Sequence, residues 1–122
     1  MCQGKTDLDK MASEMPKWFP QTYMYGCGEG WHPLIRQACE KIAALDPPDF
    51  RFLQIKEKFG GLRLYATGNT GEHTREIYQI LSEAEEASWY VCEACGATEG
   101  VETRAGKYGW VKTYCPKCHE ER

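Results

Sequence analysis

Cys92 and Cys95, followed by Cys115 and Cys118, form two Cys-x-x-Cys pairs with nineteen residues between them. Two thiolates three positions apart on a tight turn can face one ion, and two such turns complete a four-sulfur shell, the pattern of a zinc ribbon. Gly96 follows the first pair, where the chain must turn sharply, and Pro116 lies inside the second. The ribbon is expected over about 91–119, with one structural Zn2+ held by the four cysteines. A closed four-thiolate site leaves no position for water or substrate, so it stabilises a fold and the function lies elsewhere. Two disulfides, or two reactive dithiols, are the other readings of the same residues. Cys115-Pro116-Lys117-Cys118-His119 also fits the pattern of covalent haem attachment. Haem attachment leaves the first pair unexplained, and Met1-Cys2-Gln3-Gly4-Lys5 begins no apolar export segment. His119 is expected to face solvent or to act as a substitute ligand beside Cys118.

A chain of 122 residues supports one compact domain plus a small appendage. Apolar residues make up 42%, enough for a modest core, and no apolar run approaches the ~18–20 residues of a membrane helix, so a soluble protein is expected. Seven cysteines is an odd number, which fits a reducing cytoplasm better than an oxidised secreted scaffold. Cys2, Cys27 and Cys39 are left over, and Cys39 falls on the apolar face of a predicted helix. The net charge of −3 argues against a protein that coats duplex DNA. Charge is uneven, however. Residues 51–65 carry Arg51, Lys56, Lys58 and Arg63 against Glu57 alone, whereas 66–90 carry five glutamates against Arg75 alone.

The expected fold is α+β: a core of helix, β-hairpin and helix, extended by a C-terminal four-cysteine zinc ribbon. Its parts are an irregular segment over 1–30 packed on the core, the core over 31–90 and the ribbon over 91–122. A short helix is predicted near Leu8–Met15, and the aromatic stretch Lys17–Tyr25 is expected to wrap over the core. A helix is predicted from Pro33 to about Leu45, with Ile35, Ala38, Cys39, Ile42 and Leu45 on one face. Phe50–Phe59 and Leu62–Ala66 then alternate around Gly60-Gly61, reading as two strands joined by a primed turn. In that register Lys58 opposes Arg63 and Lys56 opposes Tyr65. Leu53, Ile55, Phe59, Leu62, Leu64 and Ala66 share one face, with Glu57 a misfit among them. Gln54, Lys56, Lys58, Arg63, Tyr65 and Thr67 share the other. A helix over about Glu72–Trp89 carries Ile77, Leu81, Ala84 and Ser88 on one stripe, with the glutamates of 83–86 on a solvated face. The ribbon hairpin is placed at Val101–Arg104 and Trp110–Tyr114, with Tyr108 and Trp110 as packing residues. Because two strands alone are marginal, the N-terminal segment or a second subunit is expected to add a strand or cover the apolar face.

Gly28-Glu29-Gly30-Trp31, the run Gln54-Ile55-Lys56-Glu57-Lys58-Phe59-Gly60-Gly61-Leu62-Arg63-Leu64-Tyr65, the Cys-x-x-Cys-Gly knuckle, Gly109-Trp110 and the closing Cys-x-x-Cys together resemble a group of small uncharacterised phage and prophage proteins. The resemblance covers about 26–118 and its hairpin motif is specific. It implies a phage context and the cytoplasm of a bacterial host, where small proteins often counter host defence, some by sequestering nucleotide immune signals. It carries no activity over to particular residues.

The polar face of the hairpin is the candidate working surface. Lys56, Lys58 and Arg63 can neutralise phosphates, Gln54 lies beside them, and Tyr65 and Trp31 can stack on a base. Lysines on an exposed strand also keep a sheet soluble, the plain alternative. Three functions follow. The chain would bind a small anionic ligand such as a nucleotide, between two hairpins of a homodimer or within one. It would instead be an interaction module whose ribbon docks on a host protein or nucleic acid. Or it would be a small nucleotide-processing enzyme, for which His32, His73, Cys27 and Glu57 are the available groups. No two of these have a recognised catalytic spacing, so no catalytic residue is assigned.

Overall fold

The computed structural model describes residues 13–19, 24–106 and 109–121. Most of the helix expected near Leu8–Met15 lies outside them, as does Tyr108; residues 13 and 14 are helical. The fold is mixed helix and strand. A three-stranded sheet has the order β1 (Met24–Gly26), β2 (Asp49–Lys58), β3 (Gly61–Asn69), with β1 parallel and β3 antiparallel to β2. Adjacent parallel strands need a crossover, and α1 (His32–Ala44) supplies it. The strand wanted by a marginal hairpin therefore comes from the N-terminal segment.

Pro33 opens α1, and Ile35, Ala38, Cys39 and Ile42 form its buried stripe. On α2 (Thr74–Ala87) the stripe is Ile77, Leu81 and Ala84, continued by Ser88 in a 3-10 turn over Ser88–Tyr90. These stripes cover Phe50, Phe52, Ile55, Leu62 and Leu64. Trp18 and Phe19 close the core beside β2: the Trp18 ring meets Phe50 edge-on at 4.8 Å, and the Trp18 carbonyl accepts the Phe52 N–H at 2.8 Å.

Two features of the hairpin differ from the expected register. The turn pair is Phe59-Gly60, with φ of 55° and 89°, so Lys58 faces Gly61, Lys56 faces Arg63 and Gln54 faces Tyr65. A two-residue primed turn needs left-handed φ at both central positions. Gly61 instead belongs to the strand, where its Cα lies against the Trp89 ring and a Cβ would stand 2.6 Å from it. Phe59 is consequently 71% exposed rather than part of the apolar face. The second difference is a bulge between Phe52 and Gln54. Leu53 is the extra residue and points to solvent, and the alternation resumes one position later so that Ile55 is buried.

The open edge of β3 is closed by side chains. Leu62 N–H donates to Ser88 Oγ at 3.0 Å and Leu64 N–H to Glu85 Oε2 at 2.7 Å. Glu85 thus caps a sheet edge while Glu83 and Glu86 remain exposed. The chain ends in a second hairpin, β4 (Glu102–Ala105) and β5 (Val111–Tyr114), followed by α3 (Pro116–Glu121). No helix among the described residues is long and apolar enough to cross a membrane.

Candidate metal centre and ligand face

The Sγ atoms of Cys92, Cys95, Cys115 and Cys118 all lie within 4.8 Å of one another. A tetrahedral zinc–thiolate shell with Zn–S of about 2.3 Å has sulfurs about 3.8 Å apart, and Cys95 and Cys115 are at 3.7 Å. Both pairs therefore serve one cluster able to hold a metal ion, which removes the haem reading of the second pair. His119 is no ligand: its Nε2 lies 2.8 Å from the Glu102 carbonyl and its ring stands over Tyr114.

Backbone hydrogen bonds shape the knuckle: Gly96 N–H donates to the Cys92 carbonyl at 2.9 Å and Cys92 N–H to Ala97 at 2.8 Å. Burial opposes ionisation of Cys92, but backbone hydrogen bonds from Cys115, Cys95 and Ala94 prevail and bring its thiol down to about 7. Burial and the neighbouring thiols push Cys118 up. For Cys95 the backbone bond from Ala97 works downward, and burial with the thiols of Cys92 and Cys115 outweighs it. Thiolates crowded together oppose one another's charge, so a bound dication would be what lets all four ionise.

The cluster is joined to the core by groups that spacing alone did not single out. Lys112 Nζ donates to Glu57 Oε1 at 3.1 Å and stands 3.5 Å from Glu93 Oε1, a charge contact without hydrogen-bond geometry. Burial disfavours the Lys112 cation, yet the Glu57 hydrogen bond and the charges of Glu93 and Glu57 raise its pKa. Burial raises Glu93 in turn, against the pull of the Gly28 N–H and Lys112. Glu57 Oε2 also accepts the Gly60 N–H at 2.7 Å, which accounts for the carboxylate that looked misplaced on an apolar face. Thr113 Oγ1 donates to the Gly60 carbonyl at 2.6 Å. On the opposite side, Gly28 N–H donates to Glu93 Oε2 and Gly30 N–H to the Glu93 carbonyl. A Cβ on Gly30 would collide with the carbonyls of Cys92 and Glu93.

Of the residues expected to meet a ligand, Lys56, Lys58, Arg63, Tyr65 and Gln54 share the sheet face away from the helices. None of the three cations has a carboxylate within 4.0 Å among the described residues, whereas Arg51 is paired with Asp49. Lys56 Nζ lies 5.8 Å from the Tyr65 ring centroid, and Arg63 Nε is buried without a hydrogen-bond partner among the described residues. Trp31 must be removed from that face. It is fully buried, and its indole N–H donates to the Val91 carbonyl at 2.9 Å.

The remaining chemistry-bearing groups are dispersed. His32 is buried at the start of α1, and His73 bonds Glu76 at 2.8 Å. Burial, with the charge of Glu93, pushes the Cys27 thiol up to about 12. Cys27, His73 and Glu57 make no hydrogen bond or ion pair with one another among the described residues. An open groove of about 430 Å³ lies between the two hairpins, lined by Glu57, Phe59, Gly109, Trp110, Val111 and Lys112. Trp110, expected to pack, is 77% exposed there. No known protein family, curated protein or solved structure matches this chain.

Proposed function

We propose that this chain is a small zinc-stabilised module that binds a phosphate-bearing nucleotide on the outer face of its core sheet. In the phage setting implied by the resemblance, it would act in the cytoplasm of a bacterial host as a defence antagonist that sequesters a nucleotide immune signal. One observation carries this reading: Lys56, Lys58 and Arg63 lie on one face without acidic partners among the described residues, in a chain of net charge −3. On an acidic protein such cations are a local attractor for anions, and a guanidinium with lysines beside it suits phosphate oxygens. Tyr65 and Gln54, facing each other across the strands, add a stacking surface and an amide at the same place. Zinc is the ion that a four-thiolate shell of these dimensions suits best, and its part is structural because the shell is closed.

Titration calorimetry of the zinc-loaded protein against cyclic and ADP-ribose-like nucleotides tests the reading. Binding that weakens at least tenfold in a Lys56→Ala/Arg63→Ala variant supports it. Absence of heat with every member, or unaltered affinity in the variant, ends it.

A further inference from the structure

Phe59 is a bulky residue held at φ 55° in a two-residue turn, a position where asparagine or glycine costs less, and its ring is 71% exposed. Backbone strain at a residue whose ring is mostly in solvent points to a use for its side chain. Trp110, 77% exposed, lines the same groove. Two aromatic residues, one from each hairpin, thus line a cleft of about 430 Å³, within the size range of small-molecule sites. The Glu57–Lys112 pair, at 3.1 Å, lines it as well. With Glu93 also 3.5 Å from the Lys112 ammonium, the group carries no net positive charge and gives a phosphate no net attraction, while Glu57 and Lys112 offer an acceptor and a donor to the edge of a planar heterocycle. Outside the cleft, Lys58 Nζ lies 5.7 Å from the Phe59 ring centroid and belongs to the same face as Lys56 and Arg63.

We infer that the groove lined by Phe59 and Trp110 is a base-stacking subsite, so that the ligand presents an unpaired nucleobase in the groove with its adjoining phosphate on Lys58, the cation beside the Phe59 ring. This rests on the nucleotide reading above and narrows it to ligands with an exposed base next to the phosphate. A cyclic dinucleotide and a single-stranded oligonucleotide share that chemistry, whereas a base-paired duplex does not.

The test is fluorescence anisotropy with the zinc-loaded full chain, using a labelled cyclic dinucleotide, a short labelled oligothymidylate, the same strand with abasic sites, and a duplex. At least one of the first two ligands is expected to bind, and the one that binds identifies the source of the base. Abasic and duplex ligands are expected to bind at least tenfold more weakly than it does. Stacking of one base on an aromatic side chain is worth about 1–3 kcal/mol, or about five- to 150-fold in affinity. Trp110→Ala and Phe59→Asn should each lose about that factor, and Trp110→Phe should retain most of the binding. Asparagine suits the left-handed position, so Phe59→Asn removes the ring while preserving the turn. If abasic and normal strands bind alike, or if both ring variants bind as wild type while Lys56→Ala/Arg63→Ala does not, the stacking subsite is refuted and the phosphate face survives. If the cation variant binds as wild type, the phosphate face itself is wrong.

Discussion

Lys112 lies between two carboxylates, Glu57 on the core hairpin and Glu93 within the first cysteine pair, so one side chain holds two parts of the molecule in register. Removing the cation leaves Glu93 buried with its charge uncompensated. Truncating one partner of a fully buried pair costs about 3–5 kcal/mol; Lys112 keeps 26% of its side-chain surface, and about 2 kcal/mol is expected for Lys112→Ala. Urea denaturation at neutral pH checks this, and a loss below about 0.5 kcal/mol, the size of an exposed pair, would contradict it. Gly30→Ala should cost about 1–3 kcal/mol by overpacking against the Cys92 and Glu93 carbonyls. It should also speed zinc transfer to a chelating dye, because the strain falls on the metal knuckle. Burial holds the thiols of Cys27 and Cys39 at about 12, while unfolded thiols ionise near about 8.5. Between those values the unfolded chain binds fewer protons, so stability falls as pH rises from about 8.5 toward 12. Denaturation midpoints measured across that window should decline, and Cys39→Ala should flatten the decline.

At the scale of elements, the core hairpin balances local strain against tertiary contact. Replacing Phe59 by asparagine relieves the left-handed backbone and should stabilise the fold by about 1 kcal/mol, read as a rise in the thermal midpoint. Gly60→Ala should act in the opposite direction, since its φ of 89° disfavours a side chain and the added Cβ would lie 2.7 Å from Thr103. Much of this architecture is legible in the sequence. Helical spacing of Ile35, Ala38, Cys39 and Ile42, and of Ile77, Leu81 and Ala84, locates both helices, because each buries one stripe. The alternation around the two glycines locates the hairpin and sorts its faces. Its register is less legible: Gly60-Gly61 looks like the turn because two glycines suit a primed turn, but the Trp89 ring claims Gly61 for the strand. The bulge at Leu53 has no local signature, and β1 is only three residues long, fixed by its partner rather than by its own pattern. For the candidate site, Cys-x-x-Cys spacing locates the four-cysteine cluster directly. Trp31 misleads because a tryptophan between Gly30 and His32 gives no sign of whether it packs or projects, and the Lys112 bridge spans 55 positions, beyond the reach of any local pattern.

For the molecule as a whole, the metal centre and the core form one mechanical unit. Thr113 anchors the ribbon to the turn at Gly60, Glu93 anchors it to the Gly28–Trp31 segment, and the buried Trp31 indole holds the Val91 carbonyl just before the first cysteine. Loss of a metal ion from the four-cysteine cluster should therefore unfold the ribbon and also lower the stability of the sheet it leans on, since metal binding at such a site is folding free energy. The groove lined by Phe59 and Trp110 takes residues from both hairpins, so it should weaken if a metal ion is lost from the cluster. Metal analysis combined with hydrogen exchange on one sample tests this most directly. We predict one zinc per chain, and, on its removal by a chelator, loss of amide protection across the ribbon with weakened protection in β2 and β3. A protein that purifies without a metal ion, or one whose ribbon keeps its protection when the ion is stripped, would contradict the account.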